Sequence, residues 1–360
     1  MIKWHAFLPS LVAKIIEIRT IIKMRKSKYV LVFLATATWL FSGCNQWFGT
    51  SNDDLLLSDT SMSLVIQEWS KRIAKYPKND EYRYKRGLEL ASNRKFKLAI
   101  KDYDKAIELN PTSDYFIARA EALMGLNETK QALEDYNKAV ELDPKNEEAL
   151  LKLGQFYLFV RQFENSTNVL KKLEQTNPSS VDAQFYQGMV AKESGDTTEA
   201  IKAFQRAVQL DLLHYNSLIQ LGQLYSERKD PIGLSYFRNA NIADEFSDEA
   251  RYGLGLLYQR LGNYDSAVVE YQKTIDLNAQ HYFAYYNTGY IMFSQNNWDR
   301  AIEHFRIAIK FAPEFAKAHY MLGLSNEGKG NPDQAAIHYE RCLQADPNFE
   351  VAKQRLEIVK

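Results

Sequence analysis

The chain has 360 residues, 46% hydrophobic and 25% charged, with 45 basic and 45 acidic side chains and no formal net charge. Residues 1–43 hold seven of the basic groups and one of the acidic ones, which leaves 38 basic against 44 acidic groups in the remainder. That mild acidity argues against nucleic acid as a partner, for which a basic face is expected.

At the amino terminus, Lys23, Arg25, Lys26 and Lys28 precede a 14-residue, largely apolar stretch, Tyr29 to Ser42, closed by Gly43 and Cys44. The stretch is shorter than the ~20 residues that cross a bilayer and has the form of a secretory signal peptide. Leu40-Phe41-Ser42-Gly43-Cys44 resembles the bacterial lipobox, with Phe41 the imperfect match. By that resemblance residues 1–43 are a signal peptide, Cys44 carries the lipid, including palmitate, and residues 44–62 form a polar tether. A signal peptide beginning at Met24 would have ordinary length, so the residues before it fit an upstream start codon. A single uncleaved membrane anchor is the other reading. The resemblance implies a lipid-anchored protein of the bacterial cell envelope. Asn45 after the cysteine reads, under the enterobacterial sorting rule, as an outer-membrane destination, with the periplasmic or surface face left open.

Leu64 to Tyr76 reads as a lone helix. After it, eight consecutive segments repeat one pattern at a spacing of 33 or 34 residues, starting at Asp80, Ser113, Glu147, Val181, Tyr215, Asp248, Tyr282 and Ala316. Place eight of each unit is small: Gly87, Ala120, Gly154, Gly188, Gly222, Gly255, Gly289 and Gly323. These are packing residues where two helices cross. A second small row, Ala99, Ala132, Ser166, Ala200, Gly233, Ala267, Ala301 and Ala335, is followed four residues on by Tyr103, Tyr136, Leu170, Phe204, Phe237, Tyr271, Phe305 and Tyr339. That spacing draws one apolar stripe per helix. Pro77, Pro111, Pro144, Pro178, Pro313 and Pro347 close helical runs.

This pattern resembles the tetratricopeptide repeat family from Asp80 to Phe349. The resemblance implies an all-α fold, a right-handed α-solenoid of about eight helix-turn-helix repeats with capping helices at both ends. The repeats take residues 79–349, the caps 63–78 and 350–360, since the exposed ends of a stack need covering. Departures cluster in the middle, where Leu212, Glu245 and Ala279 replace the closing proline and Asp230-Pro231-Ile232-Gly233 shortens a turn. Irregular stacking or a bend is expected there.

No catalytic pattern is found. The six histidines form no HExxH, and there is no CxxC and no glycine-rich loop between a strand and a helix. His304 and His338 hold equivalent places in adjacent units, too far apart to share a metal, and read as helix-surface residues. Cys342 reads as a buried small hydrophobe. Neither an active site, a metal nor a cofactor is assigned, and the chain is read as a non-enzyme.

The family resemblance places the first helix of each unit on the concave face. Place five there is apolar or aromatic in every unit, and the candidate partner-binding groove comprises Tyr84, Phe185, Tyr252, Phe283, Tyr286, Tyr290, Phe293 and Tyr320. Such a row seats an extended or helical peptide, or it packs neighbouring helices together. Asn287 and Lys317 fall at places that clamp a carboxylate in chaperone-binding relatives, but the set is incomplete. The resemblance implies an envelope scaffold or adaptor that binds a protein partner in secretion, envelope assembly or peptidoglycan processing. The alternatives are an envelope enzyme or enzyme regulator carried on a repeat array, and a membrane-anchored co-chaperone.

Overall fold

Helices of 10 to 14 residues are marginal alone in water, and here they are stabilised as hairpins. The computed structural model describes residues 63–360. The signal-like segment, Cys44 and the tether lie outside the described residues. Among the described residues there are eighteen helices and no strand. A leading helix, α1 (Leu64–Lys75), packs on the first of eight pairs: α2 (Asp80–Ser92) with α3 (Phe96–Leu109), and α4 (Ser113–Gly125) with α5 (Thr129–Leu142). There follow α6 (Glu147–Phe159) with α7 (Phe163–Thr176), α8 (Val181–Ser194) with α9 (Thr197–Leu210), and α10 (Tyr215–Glu227) with α11 (Gly233–Ala243). The last pairs are α12 (Asp248–Arg260) with α13 (Tyr264–Leu277), α14 (Tyr282–Ser294) with α15 (Trp298–Phe311), and α16 (Ala316–Gly328) with α17 (Pro332–Ala345). A closing helix, α18 (Glu350–Val359), covers α17. The result is an α-solenoid.

Inside each unit the small residue at place eight of the first helix faces the large residue at place 24, or 23 in the shortened unit five, on the second. A Cβ added at Gly87 would stand 2.4 Å from the Tyr103 ring, at Gly188 2.6 Å from Phe204, at Gly255 2.7 Å from Tyr271 and at Gly323 2.4 Å from Tyr339. The glycines therefore set how closely the two helices approach, and the rings they receive are buried. Consecutive first helices also touch one another, at the junctions of units one to four, five with six and seven with eight, whereas no neighbouring second helices pack as closely. First helices thus form the inner layer.

The turns repeat as faithfully. Within every unit the residue at place fifteen is left-handed: Arg94, Asn127, Arg161, Gly195, Lys229, Gly262, Asn296 and Gly330, with φ between 54° and 91°. Between units, the side-chain oxygen of Asp143, Asn177, Asp211, Asp244, Asn278 or Asp346 accepts the backbone N–H two residues on, at 3.0 to 3.1 Å. Such an Asx turn does what the proline does. Asp211, Asp244 and Asn278 precede the three non-proline turns, yet their φ of −136°, −141° and −137° match the −137° of Asp143 before Pro144. The irregularity expected at those turns is therefore absent from their backbone. It is confined to unit five, where α11 has only 11 residues and Phe237 is gripped by two glycines, Gly222 and Gly253.

At the amino-terminal end, polar groups join the layers. Asp102 accepts from Arg86 Nε and Nη2, both at 2.7 Å, and Arg86 Nη1 donates to Ser70 Oγ of α1 at 3.0 Å, all in the interior. One unit on, Arg119 pairs with Asp135 in the same two-pronged way and also reaches Asp104 at 2.7 Å.

Two substitutions test these constraints. Gly255→Val places its side chain against the Tyr271 ring and should lower unfolding stability by about 1 to 3 kcal/mol. Lys229→Gly relieves a left-handed lysine and should raise it, by less than ~1 kcal/mol because glycine also widens the unfolded ensemble. Denaturant titration of each variant measures both.

Candidate functional site

The inner face is built by aromatic rings at place five, and the structure shows what holds them. Each rests on the place-24 ring of its own unit: Tyr84 on Tyr103, Phe185 on Phe204, Tyr252 on Tyr271, Tyr286 on Phe305 and Tyr320 on Tyr339, with centroids 5.6 to 6.1 Å apart. From the other side a residue at the start of the next unit closes over it. Tyr115 meets Tyr84 at 4.7 Å, His214 meets Phe185 at 5.4 Å and His281 meets Tyr252 at 4.7 Å. Phe315 meets Tyr286 at 4.9 Å and Phe349 meets Tyr320 at 5.1 Å. The five place-five rings are half-buried wedges between units. Burial pushes the Tyr286 phenol up to about 12.

Three of the sequence candidates lie elsewhere on α14. Phe283 is 41% exposed and Tyr290 42% exposed, whereas Phe293 is half-buried, edge-on to Trp298 at 5.1 Å. Phe283 belongs to a continuous cluster, 4.2 Å from Tyr282, 5.5 Å from Phe315 and 6.4 Å from Tyr252. The structure thus brings Tyr252, Phe283 and Tyr286 together around Phe315. It leaves Tyr84 and Phe185 in units of their own and puts Tyr320 one junction further on.

Sequence reasoning missed Tyr282, Phe315 and the capping histidines. The signal was available in the residue just before the first helices of units five, seven and eight and before the closing helix, which reads His214, His281, Phe315 and Phe349, whereas unit six has Ser247 there. It also missed Phe159, 66% exposed at the end of α6, which lines a depression with Met124, Tyr136, Lys152 and Phe156.

Charge divides the same face. Place two lies one turn before place five and shares its side of the helix. In units one to four and in unit six it is an exposed acid, Glu81, Asp114, Glu148, Asp182 and Glu249, but in units seven and eight it becomes Phe283 and Lys317. Asn287, at a clamp-type place, is buried and donates to Tyr252 Oη at 3.0 Å, so it is spent on the wall of the cluster.

The structure corrects the reading of His304 and His338 as surface residues. Both are partly buried, with each Nδ1 enclosed and without a hydrogen-bond partner. His338 stacks on His319 at 6.1 Å, and burial, with His319, Arg306 and Arg341 nearby, pushes it down to about 4. Cys342 is fully buried, and burial pushes its thiol up to about 11. Among the described residues no helix is long and apolar enough to cross a membrane, and no group of three or more His, Cys, Asp and Glu is placed to hold a metal ion.

Profiles of the tetratricopeptide repeat match residues 81–113, 120–158, 151–211, 252–314 and 286–348. No curated protein matches the chain. Among solved structures, a tetratricopeptide repeat protein from Parabacteroides merdae is 17% identical, with 69% of this chain and 98% of that one covered and a TM-score of 0.51. The pilF protein of Pseudomonas aeruginosa is also 17% identical, with 59% and 97% covered and a TM-score of 0.51. Both likenesses are of fold.

The histidine environment sets a pH dependence. His338 is depressed below the ordinary ~6.5 of an unfolded histidine, so between those values the unfolded chain binds the extra proton and stability falls as pH drops. His304 and His281 are lowered too, chiefly by burial, and add in the same direction. Melting temperatures measured from pH 7 to pH 4 should decline, and His338→Gln should flatten that decline.

Proposed function

Because the chain belongs to the tetratricopeptide repeat family, we propose that it is a non-catalytic scaffold holding a peptide segment of a protein partner along its first helices. The observation that carries this reading is the aromatic platform of α14, where Phe283 and Tyr290 stand open beside a cluster that fixes its own rings. Pre-ordered aromatic side chains lose little freedom on binding and dominate interface energies. The acids at place two of units one to four and six complement a segment that is basic there and apolar where it meets Phe283 in unit seven.

The same reading includes a tether. The apolar stretch before Cys44 and the small residues flanking it support lipidation of Cys44 and a place for the scaffold in the bacterial cell envelope, at the outer membrane. A lipid at Cys44, which precedes the repeats in sequence, suits an adaptor that holds another envelope protein in place.

Two experiments test these parts separately. A photocrosslinking amino acid at position 290 should couple the chain to one polypeptide partner. Phe283→Ala with Tyr290→Ala should then weaken binding of that partner by about 1 to 3 kcal/mol with little change in melting temperature. Tyr286→Ala should instead lower stability by at least about 2 kcal/mol, since it empties the junction of units seven and eight. Unchanged affinity in the double variant would sink the binding assignment. For the tether, Cys44→Ser should abolish incorporation of labelled palmitate, and persistent labelling would remove the lipid anchor.

A further inference from the structure

The turns entering units five and six differ from the rest. Where other inter-unit turns carry Lys145, Ser179, Gln280, Glu314 or Asn348 two residues before the first helix, these carry Leu213 and Phe246. Leu212 takes a proline place beside them. Phe246 is 75% exposed, Leu212 72%, Ile242 68% and Leu213 48%. The two turns lie side by side, because Tyr215 Oη sits 2.6 Å from Ser247 Oγ and donates to Glu249 at 3.2 Å. Four large apolar side chains therefore share one edge of the solenoid.

The two turns themselves carry only negative charge, and Arg238, one helical turn before Ile242 on α11, donates to Tyr258 Oη at 2.7 Å. Residues 209–216 and 241–250 contain Asp211, Asp244, Glu245, Asp248 and Glu249 and no lysine or arginine. Asp211 and Asp244 accept backbone N–H groups of their own turns, Asp248 accepts from Asn278, and Glu249 accepts from Tyr215 and Gln223. None of these contacts neutralises a carboxylate. Among the ion pairs of the described residues, none involves these five acids. His214 is turned away, its ring against Phe185 and its Nδ1 2.8 Å from Ser217 Oγ.

We propose that this edge is a second docking surface, distinct from the aromatic platform of α14, for a basic amphipathic peptide segment of a protein partner. The apolar side chains supply the contact area and the carboxylates select lysine or arginine around it. An anionic lipid surface is opposed by the same acids, and a second copy of this edge would bring like charges together. The turns are free to carry this surface because their Asx bonds hold the backbone without the proline.

The test uses the full chain and a defined probe: a fluorescein-labelled peptide of about 18 residues, leucine on one helical stripe and lysine elsewhere, with glutamate replacing lysine as control. Anisotropy should show binding of the lysine peptide only, weakened severalfold by raising NaCl to ~0.5 M. Leu213→Ser with Phe246→Ser should weaken binding at least about tenfold. Phe283→Ala with Tyr290→Ala should leave it unchanged. Glu245→Lys, an exposed single change, should weaken it about threefold without touching the apolar contacts. Equal binding by the Leu213→Ser/Phe246→Ser chain, or loss only in the Phe283→Ala/Tyr290→Ala chain, overturns the proposal. So does a Phe246-dependent dimer in sedimentation, or Phe246-dependent binding to phosphatidylcholine or phosphatidylglycerol vesicles without peptide binding.

Discussion

A ring seated on a residue without a side chain is the contact from which the rest of this structure follows. At place eight the first helix presents glycine in seven units and alanine in one, and the place-24 side chain lies across it. Only that close approach lets a pair of 13- or 14-residue helices bury enough surface to overcome the ordering cost of each. The same ring then becomes the floor for the aromatic residue at place five, and that residue becomes the ledge on which the next unit begins. Intra-unit packing, stacking between units and the floor of the candidate binding face are one chain of contacts. A fault at the glycine would thus propagate to the candidate binding face.

The inter-unit turns show a second economy of means, with a consequence for the surface. Where an Asp or Asn side chain accepts the N–H two residues on, the backbone is already turned, and the proline that usually follows adds stiffness rather than direction. Those places can therefore change chemistry without changing geometry. Leu212, Leu213 and Phe246 occupy them with large exposed apolar groups, while the φ values before them stay within a few degrees of a proline-containing turn. Unit five is the exception in its interior. Its shortened α11 gives up one row of packing, and Gly253, outside the usual small rows, lets α12 close on Phe237 from the opposite side.

Most of the helical architecture was legible because it depends on residue size at fixed spacing, and size is what a sequence displays. The alternation of Gly255, Ala267 and Tyr271 specifies two helices and their crossing without knowledge of any other unit. What escaped depended on contacts that spacing along one helix does not display. Phe315 looks like a loop residue until the next unit's start is folded back over Tyr286, and His338 looks like a surface residue until α16 brings His319 against it. Tyr286 and Tyr290 share a helical face by spacing, yet one is a wedge and the other is open, because Phe315 covers the first and no ring covers the second. Turn geometry without proline was hidden for the opposite reason. The Asx bond is local, but proline is the louder signal.

One pair of places, seven and 23, records how the interior changes along the array. In units one and two they hold Arg86 with Asp102 and Arg119 with Asp135, in unit three Leu153 with Val169, and in units seven and eight Thr288 with His304 and Leu322 with His338. Each solution fills the same space with different physics. A buried two-pronged ion pair fixes orientation and tolerates salt, but losing one partner leaves a charge in the interior. An apolar pair has no such sensitivity. A histidine whose Nδ1 finds no partner is stable only while neutral, so its contribution depends on pH. Since a repeat array is held chiefly by neighbour contacts, these differences stay local. The amino-terminal units are held by paired charges, and units seven and eight contain partly buried neutral histidines that acid would charge. The aromatic platform of α14 lies in that proton-sensitive part, so loosening of the last units in acid would reach the candidate binding face through Phe315 before it reached the charge-paired end.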